Sequence, residues 1–342
     1  MTESGIADMK LKALLLITLL SLAQLLSPAL AQQQEPLVIA HRGASGYAPE
    51  HSSVAVALAH AMDADYIEQD IVLTRDKVPV VLHDLQLDAI TNVAEVFPDR
   101  TRPDGRYYVL DFSFAELQQL TLQARIDPVS GQVKYPQRFP AGQGQFDIMS
   151  LAEQLELIQG LNVSRNQQVG IYIEIKAARW HRDQNYDITA AVMRVLHDYG
   201  YTDEVRPTPV YLQSFDPEVL RRLKREFHTL IPLVQLIGEN RWNESPADYD
   251  VMRTAAGLEA VSSYADGIGV WVPQVLLGVN KQGQPEFSAV ITDAHEAGLF
   301  VHAYTLRADD LPKGVSGYEQ LYAWLRKAGI DGVFTDFPDR HR

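Results

Sequence analysis

From Leu37 to Thr335 the chain keeps returning to one unit, a short apolar run followed by a turn and a helix. Extended runs are expected at 37–41, 65–70, 169–175, 209–214, 232–236, 267–271, 299–305 and 332–335. Helical periodicity fills most of the gaps, near 54–62, 151–161, 188–199, 218–227, 249–264, 287–297 and 318–328. Strands joined through helices pair in parallel, because a parallel crossover needs a dozen or more residues. Eight such strands predict an α/β fold, a (β/α)8 TIM barrel.

Two places break the repeat. In 65-DYIEQDIVLTRDKVPVVLHDLQLD-88, two extended runs are separated only by Arg75, Asp76 and Lys77, so they must be antiparallel. With Asp76-Lys77 as a two-residue turn, Asp70 is expected opposite His83, and alternation then puts Glu68, Asp70 and His83 on one face. From about 85 to 150 the periodicity weakens around Pro98, Pro103, Pro136 and Pro140, with one clear helical stretch at 113–120. This segment is expected to be a small inserted subdomain over one end of the barrel, with Tyr107 and Tyr108 in a satellite core.

Barrel active sites lie at the C-terminal ends of the strands, which gives meaning to the polar residues found there. The first apolar run stops at His41-Arg42-Gly43; Gly43, Gly46 and Pro49 then make a tight loop, and Ser52 or Ser53 can cap the next helix. Glu68 and Asp70 close the second run, and Glu174 and Lys176 share one face of the run at 169–175. Gln213, Trp271 and Tyr304 occupy the same level on later strands and are expected pocket residues. His302, inside an apolar run, is expected to be a satisfied core histidine. His51, His60, His181, His197, His228, His295 and His341 are expected at the surface.

The chemistry follows from residue type. Three clustered carboxylates repel unless a cation joins them, and oxygen donors favour hard Ca²⁺ or Mg²⁺, Ca²⁺ being the expectation here. The chain has no cysteine, which argues against a thiolate zinc cage. Arg42 and Lys176 can share the charge of a phosphoryl group, while His41 and His83 supply an acid and a base. Two histidines and two cations beside a carboxylate-bound metal suit phosphodiester cleavage; a glycosidase would need only paired carboxylates. With 30 Lys and Arg against 44 Asp and Glu, the formal net charge of −14 makes nucleic acid a poor partner.

The amino terminus reads as an address. Lys10 and Lys12 precede an apolar segment from Ala13 to Leu26, and Pro28-Ala29-Leu30-Ala31 ends in a small-residue cleavage pattern. Export with cleavage after Ala31 is expected, to a bacterial periplasm or beyond, with no stable membrane anchor. The absence of cysteine fits an exported protein that needs no disulfides.

Taken together, His41-Arg42-Gly43-Ala44-Ser45-Gly46, Glu68-Gln69-Asp70, Val80-Val81-Leu82-His83-Asp84, Glu174-Ile175-Lys176 and Phe334-Thr335-Asp336-Phe337-Pro338 resemble the signature blocks of the glycerophosphodiester phosphodiesterase family. The match runs in order from about Leu37 to the C-terminus. The segment 97-FPDRTRPDGRYY-108 is similar to the periplasmic branch of that family. The resemblance implies His41 and His83 as the catalytic pair, Glu68, Asp70 and Glu174 as metal ligands, and Arg42 and Lys176 on the phosphate. It implies attack of the glycerol 2-hydroxyl on phosphorus, then hydrolysis of the cyclic phosphate to sn-glycerol 3-phosphate. His51 departs from the asparagine that many relatives carry there. The competing readings are a lysophospholipase D-type substrate for the same site and a non-catalytic exported binding protein on the same barrel.

Overall fold

A computed structural model describes residues 35–341. The expected export signal at 1–31 lies outside the described residues, apart from which no helix is long and apolar enough to cross a membrane. Eleven strands are formed among the described residues: β1 Leu37–Ala40, β2 Tyr66–Leu73, β3 Pro79–Val81, β4 Gly170–Ile175, β5 Val210–Ser214, β6 Leu233–Ile237, β7 Gly267–Trp271, β8 Leu276–Val279, β9 Pro285–Phe287, β10 Phe300–Leu306 and β11 Gly332–Thr335. The order β1-β11-β10-β7-β6-β5-β4-β2 is closed by β1 pairing with β2, and every one of these pairings is parallel. The expected (β/α)8 barrel is therefore present, with β3 attached antiparallel to β2 as an extra strand.

Alternation sorts each strand's side chains between two cores. Ile67, Ile71, Ile171, Ile173, Ile268 and Val301 face outward into a large core shared with the surrounding helices. Ile39, Tyr172, Val234 and Phe334 face inward with Tyr66, Tyr211, Phe300 and Tyr304, so the barrel interior is filled largely by aromatic rings. Tyr172 and Tyr211 stack with centroids 4.9 Å apart, and the Tyr172 hydroxyl bonds His302 Nδ1 at 3.0 Å. His302 is thus the satisfied core histidine its apolar strand suggested. A floor of rings leaves room for a cavity only above it, at the C-terminal ends of the strands.

The residues between β3 and β4 build their own apolar cluster. Val72 and Val80 of the hairpin pack with Leu82, Leu87, Ile90, Tyr107, Phe112 and Ile148. The helix expected at 113–120 is a single turn, Phe114–Leu117, held by a capping box between Ser113 and Glu116. The helix that resumes the barrel, Leu151–Arg165, starts with the same device at Ser150 and Glu153.

Three local expectations are corrected. First, β2 and β3 pair as Ile71↔Val81, Val72↔Val80 and Leu73↔Pro79, so Leu82, not His83, lies opposite Asp70. The turn holds one more residue than expected: Thr74 and Val78 bond across it, and Lys77 takes a left-handed conformation with φ 65°. Second, the helix expected over 249–264 is two, Tyr249–Met252 and Ala255–Ser262, because the Thr254 side chain caps the second. Third, the helix expected from 287 begins at Val290, and a small hairpin of β8 and β9 precedes it.

Candidate active site

The backbone of β1 ends in a conformation that serves the site directly. Arg42 has φ 59° and Gly43 φ 77°. A Cβ on Gly43 would stand 2.7 Å from the carbonyl carbon of Ala55, so only glycine fits between this loop and the helix Ser53–Ala61. The turn aims the Arg42 backbone N–H at Glu68 Oε2, 2.7 Å away. The Arg42 guanidinium pairs with Glu50 at 2.9 Å and comes within 3.2 Å of Asp70. Glu50 of the following loop and Glu68 and Asp70 of β2 are thereby tied to one backbone kink.

His41 and His83 face one cavity, and each is held from behind by a carboxylate. His41 Nδ1 lies 2.7 Å from Asp336 Oδ1, and His83 Nδ1 lies 2.5 Å from Asp84 Oδ1. A carboxylate accepts, so both imidazoles carry their proton on Nδ1 and leave Nε2 as the free base. Asp336 also accepts from Arg138 and Arg307, at 2.7 and 2.8 Å. Asp84 is braced by Arg125, which in turn grips Glu50. Burial, reinforced by the Arg42 charge, lowers the His41 pKa to about 4 against the pull of Asp336. Burial with Arg42 and Lys176 lowers that of His83 to about 3. Both are neutral bases at pH 7.

The acids sit on neighbouring inward positions. Asp70 and Glu174 are register partners across β2 and β4, and Gln213 lies beside Glu174 on β5. Glu68, Asp70, Glu174 and Lys176 are all buried. Burial and the neighbouring Asp70 charge push Glu68 well above the usual carboxylate range. Burial raises Glu174 to about 8 even though Lys176 opposes the shift. Asp70 goes the other way: burial works against its charge, but the Lys176 and Arg42 charges and the bond from His51 hold it ionised. Lys176 binds Glu174 at 2.8 Å and approaches His83 Nε2 at 3.3 Å.

His51 is the main correction to the sequence reading. It is buried, and its Nε2 lies 2.9 Å from Asp70 Oδ2. With Glu68 and Asp70 it offers three ligand atoms within 4.8 Å of one another, and Glu174, paired with Lys176, lines the same cavity. Two other histidines expected at the surface are also buried: His60 bonds Asn162, and His181 Nε2 accepts the Leu73 N–H. His341 is half-buried against Tyr318, while His197, His228 and His295 are exposed as expected. The misplaced three sit in short loops or helices whose buried face points at the barrel.

All ten expected site residues line one cavity of about 340 Å³: His41, Arg42, Glu68, Asp70, His83, Glu174, Lys176, Gln213, Trp271 and Tyr304. Its far wall is aromatic, with Trp242 packed edge-on against Trp271 at 5.2 Å, beside Phe215, and Glu244 shares it. Sequence reasoning missed Trp242 and Glu244, which follow β6 at the end of a short 3-10 turn, Asn240–Trp242, and just beyond it. It also missed Glu50, Arg125, Arg307 and the bracing roles of Asp84 and Asp336, whose pairings with arginines depend on contacts between distant loops.

The Glycerophosphoryl diester phosphodiesterase family model matches residues 41–340. The chain belongs to this family. A glycerophosphodiester phosphodiesterase of Haemophilus influenzae is 40% identical over 331 residues, covering 90% of this chain and 89% of that protein. One of Treponema pallidum is 34% identical over 328 residues, with 89% and 90% covered. The solved structure of an Oleispira antarctica phosphodiesterase, in complex with the product sn-glycerol-3-phosphate, superposes with a TM-score of 0.58. It is 24% identical and covers 89% of this chain and 94% of that one, so it supports the fold. The family is metal-dependent, and the donor set here fits a cation. Buried Glu68 and Asp70 oppose each other's ionisation, and a divalent ion would relieve that conflict.

Proposed function

We propose that this family member hydrolyses glycerophosphodiesters such as glycerophosphocholine and glycerophosphoethanolamine to sn-glycerol 3-phosphate and a free alcohol. The observation that carries the reading is the pair of carboxylate-braced neutral imidazoles facing one cavity with Arg42, Lys176 and three buried acids. Glu68, Asp70 and Glu174 would hold a divalent ion, Ca²⁺ in our reading, with His51 Nε2 against Asp70. When bound, such an ion polarises a phosphoryl oxygen and offsets the charge that develops on phosphorus.

The chain's own groups do the remainder. Arg42 and Lys176 hold the phosphoryl oxygens, and the negative charge they bring in raises the depressed imidazole pKa values toward neutrality. The neutral imidazole takes the proton of the attacking glycerol 2-hydroxyl at Nε2, while the other, protonated once the bound phosphate has raised its pKa, gives its Nε2 proton to the leaving alcohol oxygen. Water then opens the cyclic phosphate by the same exchange in reverse. Asp336 and Asp84 keep both rings in the Nδ1–H tautomer and stabilise the imidazolium that forms in turn. Gln213, Trp271 and Tyr304 shape the wall of the substrate cavity.

We also propose that residues 1–31 form a cleaved export signal and that 32–342 act in the periplasm, with about 85–150 as an insertion in the catalytic domain. The test is incubation of purified 32–342 with glycerophosphocholine and with a monoacyl analogue, scoring glycerol 3-phosphate and choline together. Equimolar release from the deacylated substrate supports the proposal. Turnover of the monoacyl lipid alone would assign a lysophospholipase D-type activity, and binding without product would assign a non-catalytic protein.

A further inference from the structure

Beside the main cavity lies a smaller annex of about 90 Å³. It shares His41, Arg42, His83, Lys134 and Arg307 with the cavity, and none of the aromatic wall of Phe215, Trp242, Trp271 and Tyr304. The annex is roofed by 125–138, a stretch of the segment between β3 and β4. Arg125, Lys134, Tyr135 and Arg138 come from it. In a chain of net charge −14, this concentration of cations at one mouth is unusual.

Most of those cations are already matched. Arg42 pairs with Glu50, Arg125 with Glu50 and Asp84, Arg138 with Asp309 and Asp336, and Arg307 with Asp336. Lys134 is different: among the described residues it makes no close ion pair, feeling Glu50 only at longer range and meeting the face of Tyr135 at 5.5 Å. Its position is nevertheless fixed. The Lys134 N–H bonds the Arg125 carbonyl at 2.9 Å, next to a bridge between Ile126 and Val133. Its side chain lines the main cavity, the annex and an outer groove of about 470 Å³. Burial and the charges of Arg125, Arg307 and Arg42 push its pKa down against the pull of Glu50, a conflict that an anion there would relieve.

The two sides of the cavity suit the two halves of a diester. The common glycerol half can be met by the fixed aromatic wall, whereas the variable alcohol needs a side with room to extend, which lies past Lys134 toward the outer groove. We propose that 125–138 forms a leaving-group subsite in which Lys134 binds an anionic substituent, phosphate or carboxylate, on the alcohol. This rests on the diesterase reading and names a substrate class for it: glycerophosphodiesters whose alcohol carries a second negative charge.

The experiment uses matched substrates differing by one phosphate, glycerophosphoinositol and glycerophosphoinositol 4-phosphate, with glycerophosphoserine as the carboxylate arm. For the wild type, kcat/KM is higher on the phosphorylated member. Lys134→Ala lowers that value about tenfold, as expected for one charge-assisted contact, and leaves glycerophosphoinositol within about twofold. Lys134→Arg retains the preference, and Lys134→Glu reverses it. A loss confined to glycerophosphoserine would assign the subsite to carboxylates. Equal losses on both inositol substrates, or no change on either, would overturn the proposal. Calorimetric binding of inositol 4-phosphate to wild type and Lys134→Glu separates the two readings, since it needs no turnover. Weakening by about tenfold supports the subsite even if no diester is cleaved, and unchanged binding refutes it even in an active enzyme.

Discussion

Asp336→Asn tests the bracing of His41 most sharply. Asp336 is buried and accepts three contacts of 2.7 to 2.8 Å, from His41, Arg138 and Arg307. The amide keeps the shape and removes the charge. Arg138 and Arg307 both donate to Oδ2, so the amide oxygen takes that position and the NH₂ turns toward His41 Nδ1. A donor there forces the imidazole proton onto Nε2, so the base facing the cavity is lost. The same carboxylate-to-amide change behind a catalytic imidazole in a serine protease lowers kcat by about 10⁴, so we expect a fall of about 10³ to 10⁴ here, with KM within about threefold. Breaking a buried charge pair costs about 3–5 kcal/mol, and the retained amide bonds place this variant near about 3 kcal/mol. At about 2 °C per kcal/mol for a large domain, Tm drops by about 6 °C. The assay is glycerol 3-phosphate release at 25 °C, alongside thermal unfolding to confirm a folded sample. A folded variant with kcat within about tenfold of wild type would refute the role given to His41.

Further outcomes follow from the same contacts. His51→Ala removes the imidazole against Asp70, and Ca²⁺ affinity measured by calorimetry should fall about 10–100-fold; unchanged affinity would remove His51 from the metal environment. Gly43→Ala places a Cβ 2.7 Å from the Ala55 carbonyl carbon at φ 77°, and chemical denaturation should show a loss of at least about 1–3 kcal/mol. Stability should also depend on acid. His302 is held neutral with its pKa lowered to about 4 by burial, so the unfolded chain binds more protons between that value and the ordinary histidine value of about 6.5. Its contribution is complete above about pH 6.5 and declines as pH falls toward about 4, by up to about 3 kcal/mol. His302→Gln should flatten that part of the stability–pH curve, and a parallel curve would count against a neutral buried imidazole.

The sequence was most informative where chemistry and periodicity coincide. Strands such as Ile171-Tyr172-Ile173-Glu174-Ile175 declare which side faces the helices and which faces the cavity, so Glu174 could be placed without coordinates. The hairpin register was harder, because one left-handed residue, Lys77, changes the turn by one position. His83 still reaches the cavity, since it lies beyond β3, where pairing no longer dictates direction. His51 was misread for another reason: a polar residue in a Pro-Glu-His loop gives no local sign that the loop folds inward onto Asp70. The Asp84–Arg125–Glu50 chain was illegible because it joins segments that meet only through the tertiary fold.

The central claim is that the acids and imidazoles at the barrel mouth cleave a phosphodiester with the help of a divalent ion. Phosphorus-31 NMR of glycerophosphocholine with chelator-treated protein, followed by addition of Ca²⁺ to the same tube, tests it most directly. The account predicts a stable diester signal under chelation, replaced by the glycerol 3-phosphate monoester once Ca²⁺ is added. Conversion under full chelation, or a diester that persists with Ca²⁺ present, would contradict it.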